Sequence, residues 1–539
     1  MEDESLYWMQ HGLAAAFGAL IAVIVVVIAH QLFFGPLCRI PGPRLAAVSN
    51  IWYAYHAKTG TTAAMARKLH RIYGPVVRVG PKEVWFDTKE AFDSIYMATA
   101  LARPRIDWRL NAEFEDNLDL LSERDMHRYR LQRRLIGRVY RTANAVRHEQ
   151  AIDKVLDDAV KRFASMKGTD FDMKEWMHIL AVESLGAMVL SWSPGMLKAG
   201  TDRDTSNQSY LGWRRKSVFG LFPLITKLEV DYKWVGRMFG TLWGVTYQTP
   251  KGFKPFFPDV ARKVARRIKN TSNPRTEKRE DLLTDLINLH KDKPEFTELY
   301  LRKMAITNFG AGHETLASTL TAVMAMLGTH PEAQARAREE INAQRMANGQ
   351  KPAHYFKYTD ALKLDYTRAV IREAMRLHPV ISMSLPRVVP PHSSGLHLHG
   401  FYMPPGTIVG CNPVSLHRNE AICGPNPDAF DPGRWLPGSS SGSSSSNNDP
   451  THDEARIRAL ERYSLNWGGG SRTCPGRHVA EMIVLKCVVR LLERFEIRAT
   501  VPPEDQGPTY FLAMLTGVRG VFLPITDPEK VKIALACEI

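Results

Sequence analysis

A mainly α-helical chain with small β-sheets, preceded by one transmembrane helix, is what this sequence predicts. Three observations carry that expectation. Gly12 to Ala29 are 18 consecutive uncharged residues dominated by Ala, Val and Ile. Residues 126 to about 325 carry mostly helical apolar spacing, broken by basic connectors such as Lys269 to Glu280. Short β-type runs supply the sheets: Val76-Val77-Arg78-Val79 and Val84-Trp85-Phe86 around Gly80-Pro81, then strand-and-turn signals from Leu398 to Val409.

The apolar run comes first in the chain. At a rise of 1.5 Å per residue it spans about 27 Å, close to the hydrocarbon thickness of a bilayer. Leu32, Phe33 and Phe34 extend it, so residues 12–34 are expected to form the anchor. A cleaved signal peptide needs a positive leading segment, and Glu2, Asp3 and Glu4 stand there instead. Arg39 and Arg44 flank the other end; the positive-inside rule then leaves residues 1–11 as a lumenal tail and puts residues 35–539 in the cytosol. Pro41-Gly42-Pro43 follows as a stiff connector.

Residues 63–74 read as a short helix, and residues 104–122 as a loop. The balance of 71 Lys+Arg against 56 Asp+Glu gives +15, which raises nucleic-acid binding as a possibility to test. The densest basic stretch, Arg128 to Arg147, lacks zinc-finger or helix-turn-helix spacing and reads as a solvated helix face. No nucleic-acid partner is expected; salt-sensitive binding of nucleic acid would revive that reading. The six cysteines contain no C-x-x-C pair, which argues against a disulfide framework or a zinc site and for a reducing compartment. Residues 437–450 are serine-rich, cannot bury a core, and read as a flexible surface insertion.

Chemistry concentrates in a few motifs. Trp467 to Gly476 (Trp-Gly-Gly-Gly-Ser-Arg-Thr-Cys-Pro-Gly) puts Cys474 in a glycine-rich loop just before helical apolar spacing from His478 to Phe495. A sulfur at a helix N-terminus is favoured as thiolate by unpaired N–H groups and the dipole. The glycines let the backbone approach a flat group or adopt positive φ. Such a thiolate is a nucleophile or a metal ligand; the competing reading is an inert buried cysteine. Gly310-Ala311-Gly312-His313-Glu314-Thr315 lies inside an apolar helical stretch from about Glu298 to His330, with Thr297 as N-cap. Each interior glycine costs about 1 kcal/mol against alanine, and both are expected to clear room for a planar ligand. Alone, Glu314 and Thr315 read as a solvated acid and a helix threonine. Glu373 and Arg376, three apart on the helical segment Tyr366 to His378, can pair, and Phe430 to Trp435 offers a further cation in Arg434.

The cysteine loop resembles the heme-binding loop of the cytochrome P-450 family, Phe-x-x-Gly-x-Arg-x-Cys-x-Gly. Trp467 replaces the Phe, every other fixed position matches at Gly470, Arg472, Cys474 and Gly476, and the resemblance places Trp467, Gly468 and Gly476 against the cofactor. The resemblance implies the cytochrome P-450 fold as one large unit, a heme b (iron protoporphyrin IX) cofactor, and Cys474 as the axial thiolate of its iron, with Arg472 on a propionate. It assigns Arg387, after Leu385-Pro386, to a second propionate. Tyr129 and Arg133 match an aromatic-x-x-x-Arg pattern that reaches the same group, with Arg130 and Arg134 as the alternative register. The segment at 310–315 resembles the oxygen-activating motif, with Ala311 beside the heme and Glu314 and Thr315 delivering protons; Leu316 departs from its second Thr/Ser. Glu373, Arg376 and Arg434 match a structural triad behind the loop. His417 is expected at the surface rather than on the propionate side.

The same resemblance implies an endoplasmic-reticulum enzyme fed by NADPH through cytochrome P-450 reductase, with cytochrome b5 as a second donor. It would insert one atom of dioxygen into a lipophilic small molecule by hydroxylation, epoxidation or multistep oxidation. The local style is similar to filamentous-fungal members of secondary metabolism, which points to a terpenoid, polyketide or alkaloid. Family position offers 104–122, Phe309, Ala311, Ile381 to Ser384 and Phe511 to Leu515 as pocket residues. Two alternatives are a heme-thiolate isomerase or dehydratase needing no reductase, against which the acid–Thr pair speaks, and a non-catalytic heme sensor.

Overall fold

The computed structural model describes residues 2–97, 120, 123, 126–251, 253, 255–270, 279–350, 354–438, 450–503 and 507–525. Helix α1 (Glu2–Ala29) continues into a π-helical turn, His30–Phe34. Within it, the 24 residues His11–Phe34 are long and apolar enough to cross a membrane, and none of their most apolar stretch is buried against the rest of the protein. The exit from this helix is tied down by Arg78, only 2% exposed. Its guanidinium donates to the Gln31 carbonyl (2.9 Å) and side chain (2.7 Å) and to the carbonyls of Ala47 and Pro81. One strand residue thereby fixes where the apolar helix leaves the domain.

Strands β1 (Val76–Gly80) and β2 (Glu83–Phe86) pair antiparallel around Pro81, as their β-branched runs and turn residues dictate. β3 (Phe171–Asp172), β4 (Arg387–Val388), β5 (Leu396–Leu398), β6 (Phe401–Met403), β7 (Ile408–Cys411), β8 (Phe495–Thr500) and β9 (Arg519–Pro524) complete three small sheets, of order β1-β2-β7-β4, β3-β9-β8 and β5-β6. The rest of the described residues are helical or irregular apart from two isolated bridges. The helices that build the site are α2 (Met126–Ile136), α3 (Met173–Leu190), α4 (Thr205–Phe219), α5 (Glu298–Thr329), α6 (Asp365–Leu377) and α7 (Arg477–Arg494).

Helix α5 is the axis of the molecule. Thr297 caps it by accepting from the Tyr300 amide, and the chain turns extended at His330 ahead of Pro331. From Leu316 to Leu327 it is buried on every side and mostly apolar, with the Thr319 and Thr321 hydroxyls donating to carbonyls one turn back, and it packs between α3, α6, α7 and β8. One large core cluster runs from α3 through α5 to α7, and a smaller one lies under the four-stranded sheet. The motifs at 310–315, 373–376 and 467–476 therefore share one helical unit. Of the insertion expected at 437–450, residues 439–449 lie outside the described residues, as does Cys537; the five described cysteines are free.

Candidate active site

Cys474 sits two residues before Gly476, the cap residue of α7, rather than on the helix itself. Its amide donates to the Trp467 carbonyl at 2.7 Å, closing the loop around it. The side chain is accessible although the loop lies deep in the molecule, beside an open space. A Cβ on Gly476 would meet no heavy atom nearer than the Cys474 sulfur at 4.0 Å. Burial pushes the thiol up, and the Gly476 amide, Arg133 and Arg477 only partly offset that. The sulfur stands two residues ahead of the helix cap, so its tie to the helix end runs through the Gly476 amide. The other loop glycines press on protein rather than on open space. Gly470 has φ +60, and a Cβ there would lie 1.9 Å from the Tyr96 carbonyl oxygen; Gly468 (φ +81) would meet the Arg472 carbonyl at 2.9 Å. Trp467 packs half-buried against the large core, with Arg477 over its ring.

Three arginines gather beside this loop. Arg472 donates to the carbonyls of Leu120 (2.8 Å) and Glu123 (2.7 Å) and stacks 3.6 Å over the Tyr129 ring, yet its buried Nε has no partner. Burial lowers its pKa to about 10. Arg387 is buried at the start of β4, its ring-facing contact is Tyr96 at 4.9 Å, and burial lowers it too. Tyr129 donates to the Ser471 carbonyl at 2.9 Å, which turns that face of α2 inward. Arg133, one turn later, is half-buried, whereas Arg130 and Arg134 are exposed. The helix period thus selects the Tyr129/Arg133 register. Among the described residues no carboxylate pairs with Arg133, Arg387 or Arg472.

Helix α5 is bare at its middle. Gly310 and Ala311 are exposed on a helix otherwise largely buried, and a Cβ on Gly310 would meet nothing within 4 Å. Gly312 differs from expectation: its Cβ would come within 3.0 Å of Leu185 on α3, so it allows close helix packing. Two residues along an α-helix turn about 200°, so both glycines cannot serve one face. Tyr140 donates to Asn308 of α5 at 2.9 Å and lies near enough to Cys474 to feel its charge, which links the bare stretch to the cysteine loop.

Glu314 points from α5 toward α4 and is 3% exposed. The Trp213 indole donates to Oε2. Ser209 lies near but its hydroxyl is outside hydrogen-bonding geometry, which leaves Oε1 without a partner. Burial raises this carboxyl, with Ser209 and Trp213 opposing the shift. Thr315 donates to the Ala311 carbonyl at 2.7 Å, one turn back. The two side chains do not touch each other; they border the bare stretch from adjacent directions.

Behind the loop the triad closes. Arg376 Nε and Nη2 donate to the two Glu373 oxygens, each at 2.8 Å, and Arg434 Nε donates to Oε1 at 3.3 Å. Trp435 (3.0 Å) and the Asp431 amide (3.1 Å) complete the acceptor. His417 corrects its expectation. It is 3% exposed, its carbonyl accepts from Arg376 (3.0 Å), and its Nε2 accepts from the Leu465 amide (2.8 Å) at the entry to the cysteine loop. Burial holds its pKa down to about 3. A lone histidine carries no sequence signal for such a place.

The pocket expectation divides. Residues 104–122 lie outside the described residues except Leu120. Phe309 is fully buried with its ring 6.2 Å from Phe256, Met383 is buried, and Ser382 and Ser384 donate to the Tyr510 carbonyl and the Glu83 carboxylate, so these face the core instead. Val380, Ile381 and Leu515 remain half-exposed.

An accessible thiol, a bare helix and arginines that pair with no carboxylate among the described residues suit a heme-thiolate class of enzyme, and the comparisons show that class. The family model described as cytochrome P450 matches residues 41–518, so the chain belongs to the cytochrome P450 family. It is 50% identical to "Cytochrome P450 monooxygenase sdnT" of Sordaria araneosa, over 95% of this chain and 96% of that relative. It is 27% identical to "Cytochrome P450 monooxygenase gsfF" of Penicillium aethiopicum, over 95% and 98%, and 26% identical to "Pisatin demethylase" of Fusarium vanettenii, over 89% and 90%. The chain is a heme-thiolate monooxygenase of fungal secondary metabolism; members of its family act on small molecules with a redox partner.

Proposed function

We propose that this enzyme inserts one oxygen atom from dioxygen into a lipophilic terpenoid, polyketide or alkaloid skeleton, with electrons supplied from NADPH through a cytochrome P-450 reductase and, for the second electron, cytochrome b5. The single observation that carries the site is the accessible Cys474 sulfur in a protected loop, next to arginines that lack carboxylates. The residues fit heme: the orphaned Arg472 Nε, with Arg387 and Arg133, suits two propionates, and Gly310, Ala311 and Gly476 leave room for a flat ring. When bound, the heme supplies the iron at which dioxygen is activated, with Cys474 as its thiolate ligand. Glu314 is the proton donor and acceptor of this reading. Burial raises its pKa toward the protonated form, and the Thr315 hydroxyl is held one turn back on the Ala311 carbonyl. Glu373, Arg376, Arg434 and His417 hold the cysteine loop from behind. Val380, Ile381 and Leu515, with the stacked Trp213–Phe511 pair (4.9 Å), offer an apolar lining for the substrate.

The localisation follows the same logic. Residues 1–11 are lumenal, 12–34 cross the endoplasmic-reticulum membrane, and 35–539 face the cytosol, on the strength of Arg39 and Arg44. Exposed apolar residues away from the anchor support a second lipid contact. Leu45 (71%), Leu224 (68%), Trp234 (62%) and Leu242 (79%) lie on two neighbouring segments joined by Asn50 donating to the Leu221 carbonyl.

The test is expression in membranes with a reductase, then carbon monoxide difference spectra and mass analysis after feeding terpenoid, polyketide and alkaloid scaffolds with NADPH. The reading expects a thiolate-type band and an NADPH-dependent product heavier by one oxygen. Product formed without NADPH would favour an isomerase or dehydratase instead.

A further inference from the structure

A buried polar chain next to Glu314 takes no part in the chemistry above. His178 on α3, His313 on α5 and Asp202 ahead of α4 are 0%, 2% and 1% exposed. His178 Nε2 lies 2.9 Å from His313 Nδ1, and His178 Nδ1 lies 2.9 Å from Asp202 Oδ2. Asp202 is itself fixed: its Oδ2 accepts from the Ser206 amide (2.9 Å), and its own amide donates to Glu175 Oε1 (3.1 Å). The His313 ring meets the edges of Phe256 and Phe257, each at 5.4 Å.

Three ionisable side chains in an apolar interior are a poor way to gain stability. A well-packed apolar set of equal volume does as well or better. What such a chain gives is direction. The Asp202 pKa is held low, to about 2, because His178 and the Ser206 amide outweigh its burial. His178 Nδ1 faces its Oδ2 across 2.9 Å as a charge contact rather than an aligned hydrogen bond. His178 Nε2 meets His313 Nδ1 at 2.9 Å, so the three side chains form one continuous polar contact from the turn ahead of α4 to α5. Its place matters because His313 immediately precedes Glu314, and Glu314 is in turn bonded to Trp213 on α4. Helix α4 is thus joined to α5 twice, directly through Glu314 and indirectly through Asp202 and His178.

We propose that Asp202, His178 and His313 are positioning residues of the oxygen reaction: they set the rotation of α5 at residue 313 and so fix the direction in which its bare stretch, the Glu314 carboxyl and Thr315 face together. This rests on Glu314 being the proton-delivering acid.

The experiment uses the full chain, heme-loaded in membranes with a reductase, and dioxygen itself as the probe. Without added substrate, NADPH is oxidised either with O2 + NADPH + H⁺ giving H2O2 + NADP⁺, or with O2 + 2 NADPH + 2 H⁺ giving 2 H2O + 2 NADP⁺. The ratio of peroxide formed to NADPH consumed reads how well protons are aimed. Asp202→Asn and His313→Leu should each change that ratio, by about tenfold in the peroxide-to-water balance for a misplacement on the order of 1 Å. The carbon monoxide band should persist. The double variant should be no worse than the worse single one, as expected for residues acting as a unit. His313→Gln, which keeps a donor toward His178, should recover most of the loss. Urea unfolding without NADPH gives an independent reading: the two substitutions should be non-additive in stability.

An unchanged ratio in Asp202→Asn and His313→Leu, with Glu314→Gln altered, would overturn the positioning role. An unchanged ratio in Glu314→Gln would overturn the acid reading beneath it. Should His313→Leu not fold, Asp202→Asn and His313→Gln carry the same decision.

Discussion

The two sides of the cysteine loop treat buried polar groups in opposite ways. Behind it, every donor of Arg376 and Arg434 and both oxygens of Glu373 have partners within the chain. In front of it, Arg472 Nε and Glu314 Oε1 have none, a mid-helix glycine faces space, and a cysteine is left accessible. A buried polar group without a partner costs about 1–3 kcal/mol. A fold spends that where something else will complete it. The rear set stabilises the scaffold; the front set is shaped for a ligand and for moving protons.

Substitutions can break this contrast, and the largest effect belongs at the front. Cys474→Ala should fold normally and lose the thiolate-type carbon monoxide band and all NADPH-dependent oxidation; a retained band would sink the ligand assignment. At the rear, Glu373→Ala leaves two buried guanidiniums on carbonyls alone, without their counter-charge, and should cost about 3–5 kcal/mol in urea unfolding. A loss as small as that of a surface ion pair would mean the triad is not a lock. Glu314→Gln should keep stability and the carbon monoxide band but slow product formation about 100-fold, the range expected when a positioned acid is removed.

The pH dependence of stability sharpens the same contrast from His417. Its folded pKa of about 3 lies below the unfolded value of 6.5. The unfolded chain therefore takes up a proton that the folded one refuses as pH falls below 6.5, and stability is lost from there downward. His417→Gln, which keeps an acceptor for the Leu465 amide, should remove about 1 kcal/mol of that dependence between pH 6.5 and 5.5, where the unfolded imidazole goes from half to mostly protonated. Unfolding at those two pH values checks it. Smallest of all, Arg134→Ala and Arg130→Ala should change stability by no more than about 0.5 kcal/mol, being exposed. Arg133→Ala should instead weaken heme retention, measured as the ratio of heme absorbance to protein. Equal behaviour of all three would reopen the register.

Local pattern was enough for what local physics decides. The apolar run at 12–34, the strands flanking Pro81, the Thr297 cap and length of α5, and the i,i+3 pair on α6 are consequences of hydrophobic period, turn chemistry and capping. These act over a few residues, so they can be read in order along the chain. The motif order likewise carried the family, and with it the iron ligand and the triad. Tertiary structure alone decided which face each residue shows. Gly312 packs on Leu185 while Gly310 opens to space, Phe309 turns into the core, and His417 is buried against the cysteine loop. It also joined Glu314 to Trp213 and linked Asp202, His178 and His313, groups up to 135 positions apart in the sequence. Burial, hydrogen-bond completion and pKa depend on neighbours brought by packing, and no spacing rule in one sequence encodes who those neighbours are.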